Sequence, residues 1–208
     1  LKKVFKNRLC FFDLETTGLS IENDKIVEIG LTCNKTDGTE MIYWRTLIDH
    51  PNFEIKNSEI HGITTKMMRN DGTKLEDAFD LLCFIIKDVK CVIGHNSDQF
   101  DVPFLITKAK QINHPLAHVL EALPRRDTLV MAKERSFSRL KLSEVHKRLF
   151  VEYFDDSHRA LSDVRACARC YFEMLKTIPY HGCHTQIDNV YLNIPFDQKD
   201  EGKRIGAR

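Results

Sequence analysis

Two carboxylates stand in an apolar segment near the start of the chain, where charged side chains are unexpected. Asp13 and Glu15 lie in the run RLCFFDLE at residues 8–15, which Thr16, Thr17 and Gly18 follow. On a strand, side chains two positions apart leave the same face, about 7 Å apart. Because burying charge without a partner is unfavourable, this pair calls for cations: Lys or Arg side chains at a strand end, or a metal ion.

A second acidic group follows a short apolar run, in the sequence GHNSDQFDVPFL at residues 94–105. Asp101 stands at the predicted start of a helix, where its carboxylate would lie beside the end of the preceding strand. An ordinary helix cap explains the same residue, since Asp before Val-Pro suits a helix start. From the residues alone, Asp98 competes with Asp101 for any role as a ligand.

A third group, SHRALSD at residues 157–163, stands at the mouth of the last predicted helix and contains His158 and Asp163. Either residue alone is explained by capping or by surface exposure. Together the three groups would crowd four carboxylates, which repel one another unless metal ions neutralise them. Oxygen ligands favour Mg²⁺ or Mn²⁺, and two such ions about 4 Å apart form the clamp used to cleave phosphodiesters. A His that titrates near neutrality suits the general base.

The elements that would position these residues follow from hydrophobic periodicity. Strands are predicted at residues 8–15, 26–34, 40–48, 91–94 and about 127–131. Helices are predicted at 75–87, 102–112, about 142–149 and about 160–178. This order predicts an α/β fold in which a central mixed five-stranded sheet is flanked by helices, with strand ends meeting at one edge.

Length and composition favour one domain at residues 1–178, followed by an extension at 179–208 that is loop or partly disordered. No apolar window is long enough to span a bilayer, so a protein without membrane contact is expected. The net charge of +1 does not by itself indicate a nucleic-acid partner. The first residue is Leu rather than Met, so a preceding segment is left open.

Seven cysteines, several of them within apolar runs, favour a reducing compartment and therefore an intracellular protein of the cytoplasm or nucleus. A zinc-binding module is the alternative for the residues Cys167, Cys170, His181, Cys183 and His184. Cys167 and Cys170 lie in a helical apolar stripe, however, so core packing is favoured for them. A further alternative is an inactive scaffold that only binds nucleic acid or a polymerase.

The three groups together resemble the motifs of the DEDDh exonucleases, a ribonuclease H-like family that includes polymerase proofreading subunits, ribonuclease T and the three-prime repair exonucleases. The matching segments are FDLETTG at 12–18, HN at 95–96 with FD at 100–101, and HRALSD at 158–163, with lesser matches at HGIT 61–64 and DTL 127–129. The resemblance runs from about residue 8 to 178. The second motif is one residue longer than usual and is followed by Pro103, as in the three-prime repair branch, which supports Asp101 over Asp98.

The resemblance implies a ribonuclease H-like fold and a 3′→5′ exonuclease that releases nucleoside 5′-monophosphates. Asp13, Glu15, Asp101 and Asp163 would hold two Mg²⁺ ions, for which Mn²⁺ can substitute, and His158 would deprotonate the attacking water. The residues expected at the substrate are Thr16, Leu19, His61, Ile63 and Asn96, with Leu19 wedged against the terminal base.

The expected partner is a nucleic acid with a free 3′ end, and single-stranded DNA is favoured. An exoribonuclease is the alternative, because the same two-metal site cleaves either backbone and only contacts to the 2′-hydroxyl would discriminate. A homodimer is compatible with the sequence.

Overall fold

A computed structural model describes residues 7–152 and 159–176 of the chain. Its strands are β1 (Leu9–Thr16), β2 (Ile26–Asn34), β3 (Glu40–Ile48), β4 (Gly72–Thr73), β5 (Cys91–Gly94) and β6 (Arg125–Asp127). Its helices are α1 (Ser58–His61), α2 (Thr65–Asp71), α3 (Leu75–Ile86), α4 (Asp101–Gln111), α5 (Leu116–Ala122), α6 (Thr128–Glu134), α7 (Leu142–Phe150) and α8 (Ala160–Leu175).

The strands form one mixed sheet in the order β4-β3-β2-β1-β5-β6. The first three strands are antiparallel neighbours, whereas β5 is parallel to β1 and to β6. Strand β1 therefore lies in the interior of the sheet. Its C-terminal end and that of β5 point the same way, which is the arrangement that gathers loop residues at one edge.

Alternation along β1 separates two cores. Cys10, Phe12 and Leu14 face a core with α3, α4 and α5. Leu9 and Phe11 face the opposite core with α6, α7 and α8. Because side chains two positions apart share a face of a strand, Asp13 and Glu15 lie on the α8 side of the sheet.

The predicted mixed sheet covered by helices is confirmed, with one correction to the number of strands. Six strands are present instead of five within the described residues. The additional strand is β4, a two-residue pairing of Gly72 and Thr73 with Leu47 and Ile48. Such a short pairing leaves no periodicity in the sequence, because it depends on a distant strand.

A second correction concerns residues 127–131, which were predicted as a strand. Strand β6 ends at Asp127, and Thr128 begins helix α6. The Asp127 side chain accepts the N–H of Leu129 at 2.8 Å and so caps this helix. A short apolar run cannot by itself distinguish a strand from a short helix. For the same reason the short helices α1, α2 and α5 were not predicted.

Two sequence predictions fall outside the described residues: the position of His158 and the extension at 179–208. Among the helices that are described, none is long and apolar enough to cross a membrane.

Candidate metal centre

The carboxylates of β1 meet that of α8 on one face of the sheet. One carboxylate oxygen each from Asp13, Glu15 and Asp163 can be chosen so that all lie within 4.8 Å of one another. Glu15 is buried, and the other two are partly buried. The structure thus brings together three of the four acids that the sequence singled out as metal ligands.

A glycine on the neighbouring strand lets α8 come this close. Gly30 stands opposite Asp13 in the pairing of β1 with β2. A Cβ atom placed on Gly30 would lie 2.7 Å from the carbonyl carbon of Ala160, the first residue of α8. The first turn of α8 therefore rests on the backbone of β2, and Asp163 is carried over the sheet toward Asp13.

The fourth acid, Asp101, approaches the same strand from the start of α4. The pairing of β1 with β5 extends only to Phe11 and Ile93. Farther along β1, the N–H of Leu14 donates to Asp101 Oδ1 at 3.0 Å. Asp101 is buried, and the other residues of the first turn of α4, such as Val102 and Phe104, are apolar and belong to the core on that side of the sheet. Pro103 is tolerated in this turn because its missing N–H has no partner there.

Asp98 has different surroundings. Its Oδ1 lies 3.8 Å from Nε of Arg125, and its N–H donates to Asp127 Oδ2 at 3.2 Å. Asp98 is thereby directed toward β6, at the edge of the sheet, while Asp101 is bound to β1.

The electrostatics of the acids reflect their crowding. Burial, followed by the charges of Asp101 and Asp163, raises the pKa of Asp13 well above its ordinary value. Burial and the charge of Asp163 raise the pKa of Glu15 to about 8. Burial raises the pKa of Asp101 to about 7, against the lowering effect of the hydrogen bond from Leu14. Carboxylates in this state are stabilised in their charged form by a bound cation.

These residues fit a divalent metal. The cluster offers oxygen ligands alone, as Mg²⁺ and Mn²⁺ prefer. Arg159 lowers the pKa of Glu15, but burial and the surrounding acids outweigh it. The carboxylates of the cluster carry more negative charge than Arg159 offsets, and a hard divalent cation would neutralise the remainder.

The end of β1 and the loop between β1 and β2 carry two residues predicted to bind substrate. Thr16 donates from Oγ1 to the carbonyl of Gly18 at 2.7 Å, and its own carbonyl accepts Nδ2 of Asn57 at 3.0 Å. Leu19 is 83% exposed at the tip of this loop. An apolar side chain this exposed, four positions after Glu15 in the chain, is available for contact with a base.

The other three predicted substrate residues differ in exposure. Asn96 is exposed, has φ of 62°, and donates its N–H to Asp127 Oδ1 at 2.8 Å. His61 and Ile63 are buried, and Nδ1 of His61 accepts the N–H of Ile63 at 3.1 Å. Ile63 packs in a small core beneath the segment that follows β3. A substrate contact at Ile63 would therefore involve its backbone.

Two further acids lie near the site: Glu28, which the sequence analysis missed, and Asp127, which it noted only in the lesser match at 127–129. Glu28 on β2 stands opposite Glu15 and is almost fully buried. Asp127 accepts the N–H groups of Asn96, Asp98 and Leu129 and so shapes the segment before α4. Glu28 interrupts the apolar run Ile26–Ile29, the same signal that pointed to Asp13.

Cys167 and Cys170 face the core between α8 and the sheet, as the packing interpretation expects. Oγ1 of Thr128 lies 3.4 Å from Sγ of Cys167. The other residues of the zinc alternative, beginning with His181, lie outside the described part of the chain. Within that part, the cluster of Asp13, Glu15 and Asp163 is the group with metal-ligand spacing.

Comparison with known proteins finds exonucleases and DNA polymerases similar to this chain. The exonuclease family model RNase_T matches residues 10–171. Exonuclease DPD1, chloroplastic/mitochondrial, of Arabidopsis thaliana is 29% identical over 76% of this chain and 53% of its own length. DNA polymerase III PolC-type of Thermotoga maritima is 35% identical over 80% of this chain and 12% of its own length. The chain thus spans about half of the plant protein and a smaller share of the polymerase.

The fold is similar to that of E. coli exonuclease I in complex with a dA16 oligonucleotide. The TM-score is 0.71 at 15% identity, over 82% of this chain and 41% of that one. The family match covers all three motifs, and its matched span contains β1 from Cys10 onward and the start of α8. The chain belongs to the RNase_T exonuclease family, within the ribonuclease H-like 3′–5′ exonucleases.

Proposed function

We propose that this protein is a metal-dependent 3′→5′ exonuclease that removes nucleotides from the end of DNA as nucleoside 5′-monophosphates. The observation that carries the proposal is the meeting of Asp13, Glu15 and Asp163 on one face of the sheet in a member of this family. The raised pKa values of Asp13 and Glu15 support it, because burial and then the neighbouring acids disfavour their charged forms, which a bound cation would stabilise.

Asp13, Glu15, Asp101 and Asp163 are the residues that would hold two divalent cations, Mg²⁺ or Mn²⁺. Such a pair of ions, when bound, lowers the pKa of a water molecule and stabilises negative charge on the leaving oxygen. The carboxylates fix where that chemistry takes place. The polar loop around Thr16 would hold the terminal nucleotide against them.

His158 would act as the general base. In hydrolysis, the water oxygen forms a bond to the phosphorus atom while the bond from phosphorus to the 3′ oxygen of the preceding nucleotide breaks. The proton of the water goes to His158, and the leaving 3′ oxygen takes a proton from solvent. A His with a pKa near neutrality is suited to this transfer.

DNA is the proposed polymer, with a single-stranded 3′ end as the preferred form. The similarity to a DNA polymerase III of PolC type and to exonuclease I in complex with a dA16 oligonucleotide supports this choice. Leu19 would stack against the terminal base, and Asn96, His61 and Ile63 would line the adjacent pocket. RNA is the alternative polymer, and a comparison of matched DNA and RNA substrates distinguishes the two.

The first test is degradation of 3′-labelled single-stranded DNA, duplex DNA and RNA of matched sequence. We expect trimming of the DNA single strand with Mg²⁺ or Mn²⁺ and none with EDTA. Asp13→Ala and Asp163→Ala should each abolish trimming, because each removes a metal ligand. Activity that survives both substitutions would contradict the proposal, and faster trimming of the RNA would change the proposed polymer.

An intracellular location is also proposed. Six cysteines in the described part of the chain are free, among them Cys10 and Cys33, which stand opposite each other on β1 and β2. Neighbouring thiols that stay unpaired fit a reducing compartment.

A further inference from the structure

Glu28 is a buried acid outside the group of predicted metal ligands. It lies on β2 with its side chain 1% exposed, and it stands opposite Glu15 on the face that packs against α8. A buried carboxylate beside four others would add to their repulsion unless it has its own partners. The residues that bind the Glu28 carboxylate therefore indicate its role in the structure.

Those partners join the sheet to the start of α8. Glu28 Oε2 accepts the N–H of Ala160 at 3.0 Å, and Oε1 accepts Nη2 of Arg159 at 3.2 Å. Nη1 of Arg45, on β3, donates to the same Oε1 at 3.3 Å. Both oxygens of Glu28 are thus occupied, one by two guanidinium groups and the other by a backbone N–H at the first turn of the helix.

Gly30 gives this attachment a second point of contact. Its missing side chain allows the backbone of Ala160 to rest on β2 two positions from Glu28. Gly30 consequently sets how closely the start of α8 approaches β2, and the hydrogen bonds of Glu28 set how the first turn of α8 is oriented. Asp163 follows within the first turn, and His158 directly precedes Arg159 in the sequence.

We propose that Glu28 and Arg159 are positioning residues that hold the first turn of α8, and thereby set the places of His158 and Asp163 in the reaction. The inference rests on the proposed function. Neither residue needs to touch substrate. Arg159 also has an electrostatic effect, since its charge lowers the pKa of Glu15 while that of Glu28 raises it.

The test compares Arg159→Gln and Glu28→Gln with Arg165→Gln as the control. Arg165 lies on the same helix, but its guanidinium forms an ion pair with Glu40 at 2.8 Å and lies over the ring of Tyr43. We expect Arg159→Gln and Glu28→Gln to lower kcat about 10- to 100-fold, the effect of a small misplacement of a reacting group. KM should change little, and Arg165→Gln should leave kcat close to the wild-type value.

A double-substitution measurement separates positioning from general stability. His158→Ala should lower kcat by about 10²- to 10⁴-fold. If Arg159 acts through His158, then Arg159→Gln should lower kcat much less in the His158→Ala background than in the wild type. Arg159→Lys, which keeps the charge beside Glu28, should recover part of the activity lost in Arg159→Gln.

Three outcomes decide the matter. Fully multiplicative effects of Arg159→Gln and His158→Ala would overturn the positioning role, as would a folded Arg159→Gln protein with the wild-type kcat. A wild-type protein without exonuclease activity would instead overturn the proposed function. If Glu28→Gln does not fold, Arg159→Gln still provides the test, because the Arg159 side chain is 31% exposed and its loss leaves the N–H of Ala160 bonded to Glu28.

Discussion

Asp98 and Asp101 are two residues of one type, three positions apart, whose surroundings assign them different tasks. Asp101 is bound to the N–H of Leu14, between the two acids of β1, and burial raises its pKa to about 7. Burial and the charge of Asp127 raise the pKa of Asp98, while Arg125 lowers it. Proximity to β1 makes Asp101 the ligand we propose.

We predict that Asp101→Asn lowers kcat by about 10²- to 10³-fold, the range for losing one electrostatic stabiliser of a transition state. Asp98→Asn is the matched control, and it should change kcat less than about 5-fold, because a partly exposed ion pair contributes about 1 kcal/mol or less. Steady-state trimming of a labelled single strand measures both. A larger loss in Asp98→Asn than in Asp101→Asn would reverse the assignment.

Hydrogen bonds within the loop between β1 and β2, and from α4 to this loop, restrain the position of Leu19. The Asp24 carboxylate accepts Oγ1 of Thr17 and the N–H of Ser20, both at 2.8 Å. Nζ of Lys108, on α4, donates to the carbonyl of Glu22 at 2.8 Å. A loop tied at both ends in this way keeps Leu19 exposed in a defined position rather than collapsed onto the core.

We therefore predict that Leu19→Ala reduces trimming of duplex ends more than trimming of single strands. An apolar side chain that separates a terminal base pair must compensate for the stacking that is lost. Burying a Leu side chain against a base would stabilise the separated state by about 1.5 to 3 kcal/mol. The ratio of duplex to single-strand rates should fall about 10-fold. Leu175→Ala, at an exposed Leu at the end of α8, is the control. An unchanged ratio would contradict the wedge.

Across the whole molecule, the crowded acids link stability to pH and to metal. The pKa of Glu15 is raised from 4.5 to about 8 in the folded protein. Between these values the folded protein holds a proton that the unfolded chain releases, so without metal this group's contribution to stability is lost as pH rises. Burial lowers the pKa values of the half-buried His50 and His95 and of the buried His146, and these groups act in the opposite direction.

Comparing the wild type with Asp13→Asn separates the effect of the acids on the pH dependence of stability from the effect of the histidines. In EDTA we expect Asp13→Asn to raise Tm, and to raise it more at pH 8 than at pH 5.5. Mn²⁺ at about 100 times its Kd should stabilise the wild type by about 2.7 kcal/mol, or about 5–10 °C in Tm for a domain of this size. The variant should show little of this shift. Thermal unfolding measures it, and an equal Mn²⁺ shift in both proteins would place the metal elsewhere.

The sequence by itself determined the fold class, the central strand and the set of acids. Alternation within β1 placed Asp13 and Glu15 on one face, and motif order linked them to Asp163. The fold class is confirmed, and Asp13, Glu15 and Asp163 do lie together, while their role as metal ligands stays a prediction. The sequence carried these signals because each depends on spacing inside one element or on a family pattern. Short elements such as β4 and α6 escaped, because their few residues carry too little periodicity to be recognised.

Only the tertiary structure decided which residues support that site. Glu28 and Arg159 are 131 positions apart and meet through the packing of α8 on β2. Gly30 shows its role only because Ala160 lies against it. In the same way, the surroundings of Asp101 and Asp98 depend on Leu14 and Arg125, which belong to other elements. Spacing along the chain specifies faces within an element, whereas contacts between distant elements arise from how the layers pack together.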